Sequence, residues 1–440
     1  VGLPMDARSD DSNLGAISYK IKNLSPSILS LDFNAYGNQV DHVMDNDERM
    51  NFAAVEAESI VKADTYGGKI EINLVPKQKN MLFLGADYRI LFRDGYRDRF
   101  VKKNMKTGVD LPQPMLFTDK IWQDSRLSDL GFYAENKTYL NNYLTLGAGI
   151  RADMVSAKIE DPAEDFAELY DLEDTNEINF SANLSMSYAM ENGTSLQFAL
   201  GRGVRSATID ERYINHFAVG KDPYELVGNP KLKPEVNKQV EFSFRKEAKA
   251  LDFQFNLFYS NLSNLITAAV DSSIGRKYLP WIEPKFAKRF VNVESAYQTG
   301  LEVGASYALN RHLGIEGQFA YTYTQNVSWD EPISRVPPME ASFKVNYERE
   351  IWWLGLDSRI VAAQNRVALS FGEIESPAFN LLNFRAGVKP FKGLVLGMTV
   401  ENILDTDYVE FLNWSFNPLI GEGLVKEPGR NISVYAKYSF

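Results

Sequence analysis

The last eleven residues, Arg430–Phe440 (RNISVYAKYSF), indicate the fold class of this chain. Apolar and aromatic residues alternate with largely polar ones, the apolar set being Ile432, Val434, Ala436, Tyr438 and Phe440. A period of two predicts a β-strand with one apolar face. An exposed aromatic strand edge invites aggregation in water, whereas a closed barrel has no edge and a membrane covers the apolar face. The stretch therefore favours a strand of a membrane barrel.

The same alternation recurs along the chain, for example in Leu251–Ser260 (LDFQFNLFYS) and Tyr143–Arg151. We count about eighteen such segments, with separate strands predicted at 51–62 and 66–76. Each is about ten residues or longer, which is enough to cross a bilayer when the strand is tilted. The chain has no run of roughly 18 apolar residues, so no transmembrane helix is expected.

The predicted connections alternate between short and long. Short turns are expected at 191–193, 247–250, 310–313 and 391–393, and long loops at 93–114, 158–176, 206–234, 267–286 and 406–428. Short periplasmic turns and long extracellular loops are typical of bacterial outer-membrane barrels. The whole chain, residues 1–440, is therefore predicted to be all-β, forming a transmembrane antiparallel β-barrel.

Composition narrows the function classes. The chain has no cysteine, which excludes disulfides and thiolate metal sites within it, and its net charge of −11 argues against a nucleic-acid partner. No nucleophile motif accompanies any of the three histidines, His42, His216 and His312. The acidic loop 160–177 is predicted to be solvated, with calcium binding as the alternative. We predict that the chain is not an enzyme.

Four passages resemble one family. They are Arg205–Tyr213 (RSATIDERY), Gly228–Glu235 (GNPKLKPE), Val400–Tyr408 (VENILDTDY) and Glu427–Arg430 (EPGR). In this order they resemble the barrels of TonB-dependent outer-membrane receptors, although Ala207 stands where many members have proline. Asn229-Pro230 and Lys233-Pro234 are also ordinary turn and breaker signals that end a long loop.

The resemblance implies a 22-stranded barrel in the bacterial outer membrane, filled by an N-terminal plug. With about eighteen strands visible and no plug sequence, the chain is expected to be the C-terminal barrel portion. Implied partners are the TonB energy-coupling complex (through the plug), outer-membrane lipids and the barrel assembly machinery, which reads the strand ending at Phe440. A companion lipoprotein is left open. An eighteen-stranded porin, a passive channel, is the alternative interpretation of the strand count.

A candidate metal site lies in residues 25–44 (SPSILSLDFNAYGNQVDHVM). Polar residues occupy the even positions of its first half, so the even face is predicted to line the lumen, and His42 and Met44 are both even. An imidazole beside a thioether suits copper, the thioether favouring Cu(I). The alternative is that both residues simply line the lumen or a loop.

Asp41–Asn46 (DHVMDN) resembles the corresponding strand of TonB-dependent copper receptors (the NosA/OprC-type group), and Leu3–Asp6 (LPMD) also resembles that group. The resemblance implies that the H-x-M pair binds copper and that a Cys and a Met from the plug complete the site. Neither plug ligand can be placed in this chain. Copper, or a copper complex, is the predicted cargo. A siderophore or haem receptor is the alternative within the family, with His216 as the loop candidate for haem.

Overall fold

The computed structural model describes residues 5–218, 223–278, 280–417 and 421–440. Leu3 and Pro4 of the LPMD passage lie outside the described residues, as do parts of the predicted loops 206–234, 267–286 and 406–428. In the described ranges the strands are β1 Asp6–Ser25, β2 Ile28–Asp45, β3 Val55–Lys77, β4 Asn80–Lys103, β5 Asp110–Tyr139, β6 Leu144–Ile159, β7 Thr175–Ala189, β8 Thr194–Arg205, β9 Leu226–Val227, β10 Glu235–Glu247, β11 Leu251–Gly275, β12 Phe286–Ala308, β13 Leu313–Asn326, β14 Glu340–Glu348, β15 Trp352–Val361, β16 Phe379–Phe391, β17 Leu394–Glu401, β18 Val409–Asn417, β19 Gly421–Lys426 and β20 Asn431–Tyr438.

Helices occur only as short pieces in the described loops. They are α1 Glu164–Leu169, α2 Ile209–Tyr213 and two 3₁₀ turns, Met50–Ala53 and Leu369–Phe371. None of the described helices has the length and hydropathy that a membrane crossing requires.

The strands form one large sheet that follows the chain order. Each long strand pairs antiparallel with the next, β8 pairs with β10, and β17 pairs with β20, because β9 and the β18–β19 hairpin belong to loops. Within the described residues this sheet has eighteen strands, of which β9 contributes a two-residue parallel pairing to β12. The all-β antiparallel prediction is confirmed.

One strand boundary was predicted wrongly. The segments 51–62 and 66–76 are not separate strands, because β3 runs unbroken from Val55 to Lys77. Gly67 and Gly68, which follow the predicted break at 63–65, are packing positions: a Cβ on Gly67 would lie 2.5 Å from the phenol oxygen of Tyr36. The glycine makes room for a cross-strand aromatic ring and does not mark a turn.

The two faces of the sheet differ as the alternation predicts. On β4 the exposed aromatic and aliphatic side chains Leu84, Tyr88 and Phe92 share one face. The opposite face carries Asp87, which receives hydrogen bonds of 2.7 and 2.9 Å from Arg151 of β6. An apolar outer face and a polar inner face are the pattern of a membrane barrel.

Short and long connections alternate, as predicted. Turns of two to four residues, such as 78–79, 190–193 and 248–250, lie at one end, and loops such as 160–174 and 362–378 lie at the other. The predicted loop 93–114 is mostly strand, because β4 and β5 continue as a hairpin and leave only 104–109 between them.

The sheet has two outer strands. In the described chain β1 pairs only with β2, and β20 pairs only with β17. β1 and β20 therefore each have one side without a pairing among the described residues.

Candidate functional site

His42 and Met44 lie near the end of β2 that leads into a long connection, at the loop end of the sheet. The pairing of β2 with β3 is regular from Ser30 to Asp45. Alternate residues therefore stay on one face, and Ser30 and Asp32 of that face hydrogen-bond inside to Asn73 at 2.8 and 3.2 Å. Both predicted ligands consequently face the interior.

The immediate surroundings of the pair offer few further ligands. The His42 Nδ1 lies 3.8 Å from the Asp10 Oδ1, which is too long for a hydrogen bond, so Asp10 does not fix the orientation of the ring. The His42 side chain is 30% exposed. Among the described residues there is no group of three or more histidine, cysteine, aspartate or glutamate side chains that could hold a metal. The described chain supplies a nitrogen and a sulfur donor rather than a full coordination shell.

The described end of the LPMD passage lies beside this pair. Asp6 is paired with Asp45 and Ala7 with Met44, and Met5 is buried. Arg49, in the loop after β2, donates two hydrogen bonds to the Asp6 carboxylate, and this contact lowers the pKa of Asp6. The start of β1 is therefore held against the end of β2.

A row of arginines on β4 was not predicted as part of a site. Arg89, Arg93, Arg97 and Arg99 all lie on the inner face, since they pair in register with inward-facing positions of β3. Arg99 is neutralised by Asp119, with its Nε 2.6 Å from a carboxylate oxygen. The sequence signal is the spacing of arginines by two and four in RILFRDGYRDRF (89–100), between apolar and aromatic residues.

Cross-strand register brings this row next to the predicted metal ligands. Met44 pairs with Ser59, and Ser59 pairs with Arg97. His42 is aligned in the same way with Val61 and then Gly95. Neighbouring strands lie about 4.8 Å apart, so Met44 and Arg97 are separated by roughly 10 Å of wall. Only the small side chain of Ser59, which is itself buried, stands between them.

Gly95 and Trp122 lie beside this row of residues, toward β5. Trp122 pairs with Gly95, and a Cβ added there would meet the Trp122 ring at 3.2 Å and the Ile60 carbonyl oxygen at 2.8 Å. The Trp122 indole stacks at a tilt on Phe217, with ring centroids 4.9 Å apart. The absence of a side chain at Gly95 thus lets a loop-supported aromatic ring lie close to the wall.

The motif passages 205–213 and 228–235 tie the long loops together. Thr208 caps α2 in a capping box with Glu211. Arg212 is fully buried, and its guanidinium donates to the carbonyl oxygens of Ala207, Pro230 and Leu232 and to Glu177 at 2.7 Å. Arg212 thereby holds the two halves of this loop, 205–213 and 228–235, against each other.

The other two histidines have structural partners. His216 is buried, and its Nδ1 lies 2.8 Å from a Glu225 carboxylate oxygen, which also accepts from the Lys277 backbone N–H. His312 lies in a short turn, as predicted, with its Nδ1 2.9 Å from the Glu348 carbonyl oxygen. The haem candidate is therefore in the interior of the loop region.

The acidic loop is packed rather than merely solvated. Phe166 of α1 is fully buried among Val227, Ile274 and Ala287. Asp165 pairs with Lys277 at 2.7 Å. The loop after β6 thereby joins the loop after β11, so the mouth of the sheet is built from connections that support one another.

Comparisons with known proteins settle the family. The sequence model described as TonB dependent receptor-like, beta-barrel matches residues 4–403. The chain belongs to this family. The receptor is accordingly an outer-membrane protein with a β-barrel fold, as predicted, and family members are receptors and transporters.

Individual relatives differ in their cargo. The solved structure of the copper transporter OprC is similar with a TM-score of 0.82 and 22% identity, covering 100% of this chain and 67% of that one. A probable hemoglobin and hemoglobin-haptoglobin-binding protein of Haemophilus influenzae is 21% identical, over 59% of this chain and 29% of its own length. The vitamin B12 transporter BtuB of Photobacterium profundum is 23% identical, over 52% of this chain and 35% of its own length. The matched region spans about a third of each curated relative.

Proposed function

We propose that this receptor takes up copper, or a copper complex, across the outer membrane by energy-coupled transport. The observation that carries the proposal is the regular β2–β3 register, which puts an imidazole and a thioether two residues apart on one inner wall at the loop end. His42 and Met44 are the proposed metal ligands, and the metal is cargo rather than a resident cofactor. The nitrogen and sulfur donor set suits copper.

The family resemblance supports the proposed domain organisation and partners. The 440 residues act as the barrel portion, and the TonB energy-coupling complex is the proposed partner through a plug. The barrel assembly machinery is proposed to recognise the strand ending at Phe440, and a companion lipoprotein stays an open partner. The similarity to OprC supports the fold on which this proposal is built.

Copper titration of the intact receptor tests the site. We expect His42→Ala and Met44→Ala each to weaken binding at least about tenfold, which corresponds to about 1.4 kcal/mol. Met44→Ala should weaken the binding of Cu(I) more than the binding of Cu(II). Matched controls are His312→Ala, in a turn at the opposite end, and Met186→Ala, which is 45% exposed on β7. Unchanged affinity in both site variants would refute the assignment.

Uptake measurements separate the other candidates. A siderophore or haem receptor would support growth on ferric chelates or haem as the sole iron source, with copper uptake absent. A passive porin would admit copper without energy coupling. We expect copper accumulation that disappears when the energy-coupling complex is removed.

A further inference from the structure

Arg97, on the inner face of β4, carries a positive charge that no described carboxylate pairs with. Asp119 is shared, since it lies 2.6 Å from Arg99 and 3.6 Å from the Lys277 amino group. Within the described ranges, no carboxylate oxygen lies within 4.0 Å of Arg93 or Arg97. Arg93 donates to the Phe92 carbonyl oxygen, whereas a cation such as Arg97 that has no carboxylate partner on a concave wall attracts anions.

Arg97 has a second unusual feature. Its Nε is buried and has no hydrogen-bond partner, and its guanidinium carbon lies 5.5 Å from the ring centroid of Tyr278. The Tyr278 hydroxyl is also buried without a partner, and burial raises its pKa. Buried polar groups are nearly always hydrogen-bonded. Two unsatisfied groups in one contact indicate a place for an oxygen-bearing ligand.

Arg93 and Arg97 lie beyond the apolar belt. Outward-facing residues of β4 are apolar or aromatic up to Phe92, and beyond it the charged residues Asp94 and Asp98 alternate with Tyr96 and Phe100 on that same face. The arginines therefore line the mouth on the loop side of the membrane, where a ligand arrives from outside. Arg97 lies on the same transverse row as Met44.

We infer that Arg97, assisted by Arg93, binds negatively charged oxygens of the cargo beside His42 and Met44, so that the metal enters as an anionic chelate carrying carboxylate-type groups. The guanidinium fork matches a carboxylate with two parallel hydrogen bonds. The positive charge of Arg97 would instead repel a bare copper cation. The metal part of this inference rests on the proposed function, whereas the oxyanion part does not.

Calorimetric titrations of the intact receptor test this inference with three probes. The probes are metal-free citrate, copper(II) citrate, which is anionic, and a copper(II) ethylenediamine complex, which is cationic. We expect copper citrate to bind at least tenfold more tightly than the cationic complex. Arg97→Gln should weaken the binding of both citrate probes by about ten- to a hundredfold, the value of a charge-assisted hydrogen bond.

Two further variants control for charge and for folding. Arg97→Lys keeps the charge but loses the fork, so it should recover part of the affinity. Arg126→Gln is the matched control, because Arg126 faces outward on β5 opposite Phe92 and pairs with Glu160 at 3.6 Å. We expect citrate affinity of Arg126→Gln within about twofold of the parent.

The outcomes separate the inference from the proposed function. If citrate does not bind the parent, or binds Arg97→Gln equally well, the oxyanion site is wrong even when copper binding still depends on His42. That result includes the case in which another protein segment already pairs with Arg97. If citrate binding depends on Arg97 and no copper form binds, the oxyanion site stands and the copper proposal fails.

Discussion

Arg212 and Arg97 are the same residue type in two opposite situations. Arg212, in the loop motif, is fully buried and donates to three carbonyl oxygens and to Glu177. Arg97, on the inner wall, has no carboxylate partner within the described chain and a buried Nε without an acceptor. The family motif thus marks a position that holds the fold together, whereas the side chain available for a ligand lies outside any motif.

Arg212→Ala should have the largest effect and would sharpen the contrast. The variant leaves Glu177 with a nearly buried charge and frees three carbonyl oxygens, which costs about 3–5 kcal/mol. We expect faster hydrogen exchange across 205–216 and 223–235. Arg97→Ala should leave exchange in those segments unchanged, and equal loosening in both variants would contradict the division into structural and ligand-binding arginines.

Gly95→Val tests the wall beside Arg97 and should have an intermediate effect. The new side chain would collide with the Ile60 carbonyl oxygen and the Trp122 ring, and overpacking of this kind costs about 1–3 kcal/mol. We expect faster exchange in β3–β5 and weaker binding of copper citrate. Gly201→Ala is the control, because a Cβ there meets nothing within 4 Å. Native binding by Gly95→Val would show that this part of the wall takes no part in binding.

The smallest effect concerns pH and Glu373 in the loop 362–378. Burial raises the pKa of this carboxyl, although it accepts hydrogen bonds from the Ala368 and Arg335 backbone N–H groups. A raised folded-state pKa contributes stability that is complete below the unfolded value, about 4.3, and is lost as the pH rises through the folded value.

Hydrogen exchange of this loop should therefore be slower at about pH 4 than at about pH 8 after correction for the intrinsic rate. Glu373→Gln cannot titrate, so its protection should be independent of pH even if its absolute level falls. A pH dependence that survives in Glu373→Gln would assign the effect to another group.

The strands could be predicted where one apolar face meets lipid. Leu251–Ser260 and Arg430–Phe440 alternate cleanly, and both are strands. The extension of β4 was missed because Asp94 and Asp98 interrupt the apolar alternation beyond the membrane, so Arg93, Arg97 and Arg99 fell within a predicted loop. Alternation of polarity requires two different solvents, and above the membrane both faces meet water.

At the predicted site, too, the sequence could place residues on a face of the sheet but could not find partners that the fold brings together. The alternation in 25–44 placed His42 and Met44 on the inner face, and the regular register agrees with that placement. Their role in binding copper stays a prediction. His216 could not be assigned from sequence, because its partner Glu225 is brought to it by the fold of a loop.

The amino-acid sequence by itself determined most of the strands where one face is apolar, their two faces, the alternation of turns and loops, and the family. These are local properties, set by a two-residue period and by short motifs. Only the tertiary structure decided which residues of separate strands share a row. Met44, Ser59 and Arg97 meet because backbone hydrogen bonds fix the register between β2, β3 and β4, and that register depends on pairing between strands rather than on any one segment.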